Sequence, residues 1–157
     1  MMLTTKGRYA VTAMVDLARN SGQKPVSLAD IALRQGITVA YLEQIFAKMK
    51  RSGLVKSIRG PGGGYVLARR MDEINIAEIV IAAEESIKMT RCSSEGCAIK
   101  GAKCLTHDLW DGLGKQIKNY LEAINLEAIC SAKSQKECGD LLSSHEIKKN
   151  EYMEARA

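Results

Sequence analysis

The stretch Ser27-Leu28-Ala29-Asp30-Ile31-Ala32-Leu33-Arg34-Gln35-Gly36-Ile37-Thr38-Val39-Ala40-Tyr41-Leu42-Glu43-Gln44-Ile45-Phe46-Ala47-Lys48-Met49-Lys50-Arg51-Ser52 decides the fold. Ser27 reads as the N-cap of a short helix over 28–35, with Asp30 three residues on, where an acid favours the positive helix end. Gly36 breaks that helix, and Thr38 caps a second one over 39–52. Two short helices joined by a tight Gly-containing turn are the signature of a helix-turn-helix. On the second helix Val39, Leu42, Ile45, Phe46 and Met49 form an inward apolar face. The opposite face presents Ala40, Tyr41, Glu43, Gln44, Ala47, Lys48 and Arg51. Such a face suits a DNA major groove: Gln pairs with the adenine edge, a carboxylate accepts from the cytosine amino group, and Lys, Arg and Tyr reach phosphates. A carboxylate turned to DNA is repelled by phosphates, so Glu43 makes sense there as a base reader that rejects wrong sites. The competing meaning of this face is an ordinary solvated helix surface.

On the N-terminal side, Thr4 or Thr5 caps a first helix running to about Asn20. Ala10, Ala13, Met14, Leu17 and Ala18 give it one apolar stripe, and Ser21-Gly22 and Pro25 stop it. On the C-terminal side, Leu54 to Arg59 alternates like an edge strand and Tyr65-Val66-Leu67 returns. Gly60-Pro61-Gly62-Gly63-Gly64 lies between them, and so many glycines permit backbone angles closed to other residues. Arg59 at the base of this loop suits the negative potential of a narrow minor groove. A phosphate-cradling loop would instead join a strand to a helix and carry Lys-Ser/Thr, so a wing is expected. The expected fold is therefore mainly α with a small β-wing, a winged helix-turn-helix followed by a long dimerisation helix. Thr38, Ala40, Tyr41, Glu43, Gln44, Lys48, Arg51, Arg59, Gly60, Pro61 and Gly62 are the candidate DNA-binding residues.

The charge is divided in keeping with that surface. Residues 1–70 hold 12 Lys/Arg against 3 Asp/Glu, net +9, while residues 71–157 hold 11 against 15, net −4. A concentrated basic field is the usual footprint of a polyanion partner, because Lys and Arg that neutralise phosphates release counterions. The 157-residue length fits about one domain. The longest apolar run, Ile79 to Ala83, is far short of the ~20 residues that span a bilayer, and the start lacks the apolar stretch of a secretory signal. The expected location is the cytoplasm, with no membrane partner.

Five cysteines stand at 92, 97, 104, 130 and 138. An odd number in a reducing compartment argues against a disulfide framework. Cys92, Cys97 and Cys104 cluster, and His107 follows. Thiolates with one imidazole hold iron–sulfur clusters or zinc. The small, polar, Gly-containing residues from Ser93 to Lys103 can fold around an inorganic core. On spacing alone, cluster, zinc and a metal-free thiol group stay open. Cys130 reads as a buried thiol. Paired carboxylates, a Ser/His/Asp set and Cys-x-x-Cys are missing from the pattern, so no enzyme is expected. The rival classes are a thiol enzyme, a zinc-stabilised regulator and a non-DNA interaction module.

In the rear half Asn75 caps a helix carrying Ile76, Ile79, Val80 and Ala83 on one face. Beyond the cysteines, Leu105, Leu109, Leu113, Ile117, Leu121 and Ile124 form a stripe along about twenty residues, roughly 30 Å of helix. Trp110 lies beside it. A stripe that long exceeds what a small module needs to cover itself and is expected to pack on the same helix of a second copy. The expected division is 2–70 for the DNA-binding module, 71–130 for the cysteine loop and dimerisation helix, and 131–157 for a flexible tail.

Leu3-Thr4 with Lys6-Gly7-Arg8-Tyr9-Ala10, then Tyr41-Leu42-Glu43-Gln44, Arg59 to Tyr65 and Cys104-Leu105-Thr106-His107 follow one another in a telling order. Together they resemble the IscR-type iron–sulfur cluster regulators, dimeric winged-helix repressors, over about residues 2–130. The resemblance implies a [2Fe–2S] cluster held by Cys92, Cys97, Cys104 and His107, supplied by the iron–sulfur assembly machinery. It further implies a homodimer on a palindromic double-stranded operator and control of cluster-assembly genes, mainly by repression and additionally by activation. Cluster occupancy would change which operator class is bound, with Glu43 discriminating. Cys97 departs from the pattern, standing one residue earlier than the family's middle cysteine. That four-residue first gap is similar to the nitric-oxide-sensing NsrR branch, which lacks the Thr-His after the third cysteine and this Gly-Pro wing. An NsrR-like sensor and a zinc-stabilised regulator are the alternatives.

Overall fold

The computed structural model describes residues 5–22, 24–84 and 105–131. Helix α1 spans Thr5–Asn20, α2 Leu28–Gln35 and α3 Val39–Arg51. Strands β1 (Val55–Ile58) and β2 (Gly64–Leu67) follow, then α4 (Ile76–Glu84), α5 (His107–Glu122) and α6 (Leu126–Ser131). The local chemistry of the opening stretch sets its boundaries. The Asp30 N–H donates to Ser27 Oγ at 3.1 Å, and that hydroxyl donates to the Asp30 carboxylate at 2.7 Å. Gly36 closes α2 in the left-handed region, and Thr38 Oγ1 accepts from the Tyr41 N–H at 3.4 Å.

Ala10, Ala13, Met14, Leu17, Leu42, Ile45, Phe46 and Met49 are fully buried where α1 and α3 meet. Val39 corrects the expected inward face: as the first residue after the Thr38 cap it is 41% exposed, and the buried face begins at Leu42. The core continues through Ile74, Ile76, Ile79, Val80 and Ala83 into α4, which packs on α1, and ends at Leu126 of α6. Burying about twelve such large side chains, at about 2 kcal/mol each, is the main favourable contribution to this fold.

The strands pair antiparallel in the register Val55↔Leu67 to Ile58↔Gly64. The hairpin is tied to the helical body by a backbone bridge: the Val26 N–H donates to the Tyr65 carbonyl at 3.0 Å and the Tyr65 N–H to that of Val26 at 2.8 Å. Tyr65 lies edge-on to Phe46 with ring centres 4.8 Å apart. The loop glycines serve two separate needs. Gly60 (φ 106°) and Gly62 (φ 74°) take left-handed backbone angles. Gly64 does not; a Cβ there would stand 2.4 Å from the Val26 carbonyl oxygen.

Helix α5, expected as a dimerisation helix, is shorter than the apolar stripe suggests. It ends at Glu122, and Asn125 starts α6, which the sequence pattern did not separate. Asn125 Oδ1 accepts from the Ala128 N–H at 2.8 Å, and Asn75 Oδ1 caps α4 the same way through the Glu78 N–H at 2.9 Å. The two starts are clasped together: the Ile76 N–H donates to the Ile124 carbonyl and the Leu126 N–H to the Ile74 carbonyl, both at 2.9 Å.

Candidate nucleic-acid interface

The α3 caps and the α1–α3 core aim the second helix of the helix-turn-helix at solvent. Thr38, Ala40, Glu43, Gln44 and Arg51 are exposed, and so are Arg59, Gly60, Pro61 and Gly62 at the tip of the wing. Glu43 is the one acid on α3, whose last turn carries Lys48, Lys50 and Arg51. The body therefore presents a helix and a loop, with Glu43 and Gln44 exposed in the middle of the helix and cations toward its end.

Basic residues of the front half fall into two groups. Arg34, Arg69 and Arg70 are engaged by the carboxylates of Asp16, Glu78 and Asp72. Among the described residues no carboxylate pairs with Lys50, Arg51, Lys56 or Arg59, which lie on α3 and the hairpin. Lys50 Nζ donates to Ser57 Oγ at 2.6 Å and Arg51 Nε to the Ala47 carbonyl at 3.3 Å, so neither charge is neutralised. The unneutralised cations collect where a duplex would approach.

Two candidate residues sit differently from the helical-wheel expectation. Tyr41 is half-buried, its ring edge-on to Tyr9 of α1 at 5.9 Å and 85°. Lys48 is half-buried too, and its ammonium donates to the Ala83 carbonyl at the end of α4, 3.1 Å away. Tyr9, 39% exposed beside Tyr41, is a surface residue of this region that periodicity alone did not single out, because α1 was read only for its buried stripe.

Asp16 was also missed, although it holds the first two helices together. It is 5% exposed and receives Arg34 Nη2 at 2.6 Å, Arg34 Nε at 3.0 and 3.1 Å and Gln35 Nε2 at 2.6 Å. Burial pushes its carboxyl up. The hydrogen bonds from Arg34 and Gln35, with the guanidinium charge, outweigh this and hold it below the ordinary carboxylate value.

Of the candidate metal ligands, His107 opens α5 and is half-buried. Cys92, Cys97 and Cys104 lie outside the described residues, as do Cys138 and all of the tail expected at 131–157 except Ser131, which ends α6. The donor set of three thiolates and one imidazole fits a [2Fe–2S] centre chemically. Cys130, expected as a buried thiol, is half-buried with Sγ 4.0 Å from the Val15 carbonyl; burial pushes that thiol up against an opposing effect of Arg19. On α5 no residue is buried: Leu109, Trp110 and Leu113 are 64, 40 and 38% exposed, and Leu105 just before the helix is fully exposed. No helix among the described residues is long and apolar enough to cross a membrane.

An exposed, cation-bearing second helix of a helix-turn-helix beside a glycine-tipped wing defines a winged-helix DNA-binding regulator. Residues 3–132 match the family profile Rrf2, described as iron-dependent transcriptional regulator, and the chain belongs to that family. It is 52% identical over 130 residues to the HTH-type transcriptional regulator IscR of Photorhabdus laumondii, covering 82% of this chain and 79% of the relative. To the IscR of Klebsiella pneumoniae strain 342 it is 45% identical over 150 residues, 96% and 92% of the two chains. Among solved structures, T. potens IscR superposes with a TM-score of 0.71 at 36% identity, over 87% of this chain and 90% of that one. CymR, the global cysteine regulator of B. subtilis, gives 0.71 at 33% identity over 85% and 99%. These relatives are transcriptional regulators, and the chain is a DNA-binding transcriptional regulator rather than an enzyme.

Proposed function

We propose that this chain is an iron–sulfur-cluster-sensing regulator that binds palindromic double-stranded DNA as a homodimer in the cytoplasm. It controls iron–sulfur assembly genes, chiefly as a repressor and additionally as an activator. The observation that carries the DNA half is the exposed row Ala40, Glu43, Gln44 and Arg51 on α3 beside the Arg59–Gly62 wing tip. In this reading Gln44 and Glu43 read base edges, Tyr41, Lys48 and Arg51 contact the backbone, and Thr38 and Ala40 line the helix entry. Arg59, Gly60, Pro61 and Gly62 enter the flanking minor groove.

Dimerisation is supported by the bare stripe of α5, and two recognition helices would then enter grooves about 34 Å apart. For the sensing half, Cys92, Cys97, Cys104 and His107 would hold a [2Fe–2S] cluster received from the assembly machinery. The bound cluster would supply a redox- and supply-sensitive centre of net charge between α4 and α5. An imidazole leaves a metal centre more readily than a thiolate, so His107 would be the most labile of the four ligands. Occupancy differences that alter DNA affinity are a coupling free energy between two sites.

Anaerobic purification, a visible spectrum and iron, sulfide and zinc analysis test the centre. Operator binding by loaded and stripped protein tests the sensing. Red-brown protein with iron and sulfide, and different operator preferences in the two states, are expected. Colourless protein with stoichiometric zinc would replace the sensor with a zinc-stabilised regulator. The four-residue gap between Cys92 and Cys97 favours a second reading, nitric oxide as the signal, visible as bleaching of the spectrum and release of operator when nitric oxide is added.

A further inference from the structure

Lys48 looks outward on a helical wheel, yet the fold gives it a partner from another element. Its ammonium reaches the Ala83 carbonyl at 3.1 Å, one of the last carbonyls of α4 and therefore at the negative end of that helix. The neighbouring residue is fixed on the opposite side: the Gly7 N–H of α1 donates to Glu84 Oε1 at 2.9 Å. The fit around Glu84 is close, since a Cβ on Gly7 would stand 2.2 Å from that same oxygen. Two adjacent residues at the end of α4 thus hold the first turn of α1 and the third turn of α3. The other two cations of the α3 C-terminal turn behave differently. Lys50 turns to Ser57 of the wing strand, and among the described residues Arg51 bonds within its own helix, to the Ala47 carbonyl.

We infer that Lys48 is a positioning residue for DNA reading: with Glu84 and Gly7 it clamps the recognition helix to the end of α4, instead of contacting a phosphate. This rests on the proposal that α3 enters the major groove, and it replaces the backbone-contact role assigned to Lys48 there. Its consequence is that the C-terminal end of α4, at Ala83 and Glu84, has a direct hold on the helix proposed to read DNA.

The test is the salt dependence of operator affinity, with Lys48→Met, Arg51→Met, Glu84→Ala and the Lys48→Met/Glu84→Ala pair, each checked for thermal stability. Losing a phosphate contact lowers the slope of log K against log salt by about 1. Lys48→Met should keep the parental slope while weakening binding roughly three- to tenfold and altering the base preference under α3; Arg51→Met should lower the slope. Glu84→Ala should weaken binding without touching DNA, and the double variant should bind within about twofold of the weaker single one, as expected of residues acting through one clamp. A slope reduced by about 1 in Lys48→Met, or multiplicative losses in the double variant, overturns the inference. If Arg51→Met and Glu43→Ala also leave slope and selectivity unchanged, the groove reading of α3 has failed instead. Lys48→Arg, which can still donate to the Ala83 carbonyl, should restore base preference; failure to do so also counts against the clamp.

Discussion

Replacing Gly64 with Ala should unfasten the wing. The new methyl would sit 2.4 Å from the Val26 oxygen, 2.6 Å from its carbonyl carbon and 3.0 Å from the Ser27 nitrogen, all backbone atoms that cannot rotate away. Ordinary contact begins near 3.4 Å, so β2 must retreat by about 1 Å. That carries both bridging bonds, now 3.0 and 2.8 Å, past the useful range. Two backbone bonds at about 1 kcal/mol each, together with weakened Tyr65–Phe46 packing, outweigh the ~0.5 kcal/mol gained from a stiffer unfolded chain. The net loss is about 2–3 kcal/mol. For a domain of this size that lowers Tm by about 10 °C. Thermal unfolding followed by circular dichroism measures it, and operator affinity should fall as well because the wing tip moves with the strand. Gly60→Ala is the comparison: its methyl meets nothing within 4 Å and bears only the left-handed strain at φ 106°, about 1–2 kcal/mol. A Gly64→Ala protein melting within about 2 °C of its parent, or no worse than Gly60→Ala, would refute the close-approach account.

Arg34→Met leaves the nearly buried Asp16 carboxylate with amide donors alone and should cost about 2 kcal/mol at neutral pH, read as a lower Tm. Because the folded value of Asp16 lies below the unfolded one, its contribution is full well above the ordinary carboxylate value and fades as pH falls through the folded value, so the gap between parent and variant should narrow steadily under acid. A gap that holds constant down the titration would exclude the ion pair as its source. Glu43→Ala should broaden the set of duplexes bound, with discrimination of about 1–3 kcal/mol lost at one base pair per half-site; an unchanged site-selection profile would remove its assigned role. Leu109→Glu with Leu113→Glu on the bare stripe of α5 should shift the protein from dimer to monomer in sedimentation, with little change in the melting of the α1–α4 core. A dimer that survives both charges would place the interface elsewhere.

The parts legible in sequence were those governed by neighbours within one helical turn. Ser27 with Asp30, Thr38 and Asn75 fix helix starts through bonds to N–H groups three residues on, and the buried stripes of α1, α3 and α4 repeat at the helical period. What escaped depends on partners distant in the chain. Asp16 is a lone acid among buried neighbours until Arg34 and Gln35 arrive from α2. Lys48 faces outward on its own helix, but α4 supplies a carbonyl at that place. The glycines of the wing were legible as a loop, whereas the need for Gly64 comes from the Val26 backbone. The stripe through Ile124 ran one helix into the next because its spacing survives the break; Asn125, a capping residue repeating the Ile-Asn-apolar order of 74–76, was the available signal. The exposed faces of α3 and of the wing agree with the expected groove surface, with Tyr41 and Lys48 drawn partly inward.

The paired bonds between residues 74–76 and 124–126 have a consequence for how such a chain can diversify. They bring the starts of α4 and α6 together, so α4 stays packed in the core and the chain that follows it is returned to the helical body at a fixed point. Doubling the length of a flexible excursion with fixed ends adds only about 0.6 kcal/mol. The number of residues between α4 and α6 can therefore change at little energetic cost, while the body built from α1 to α4 keeps its shape.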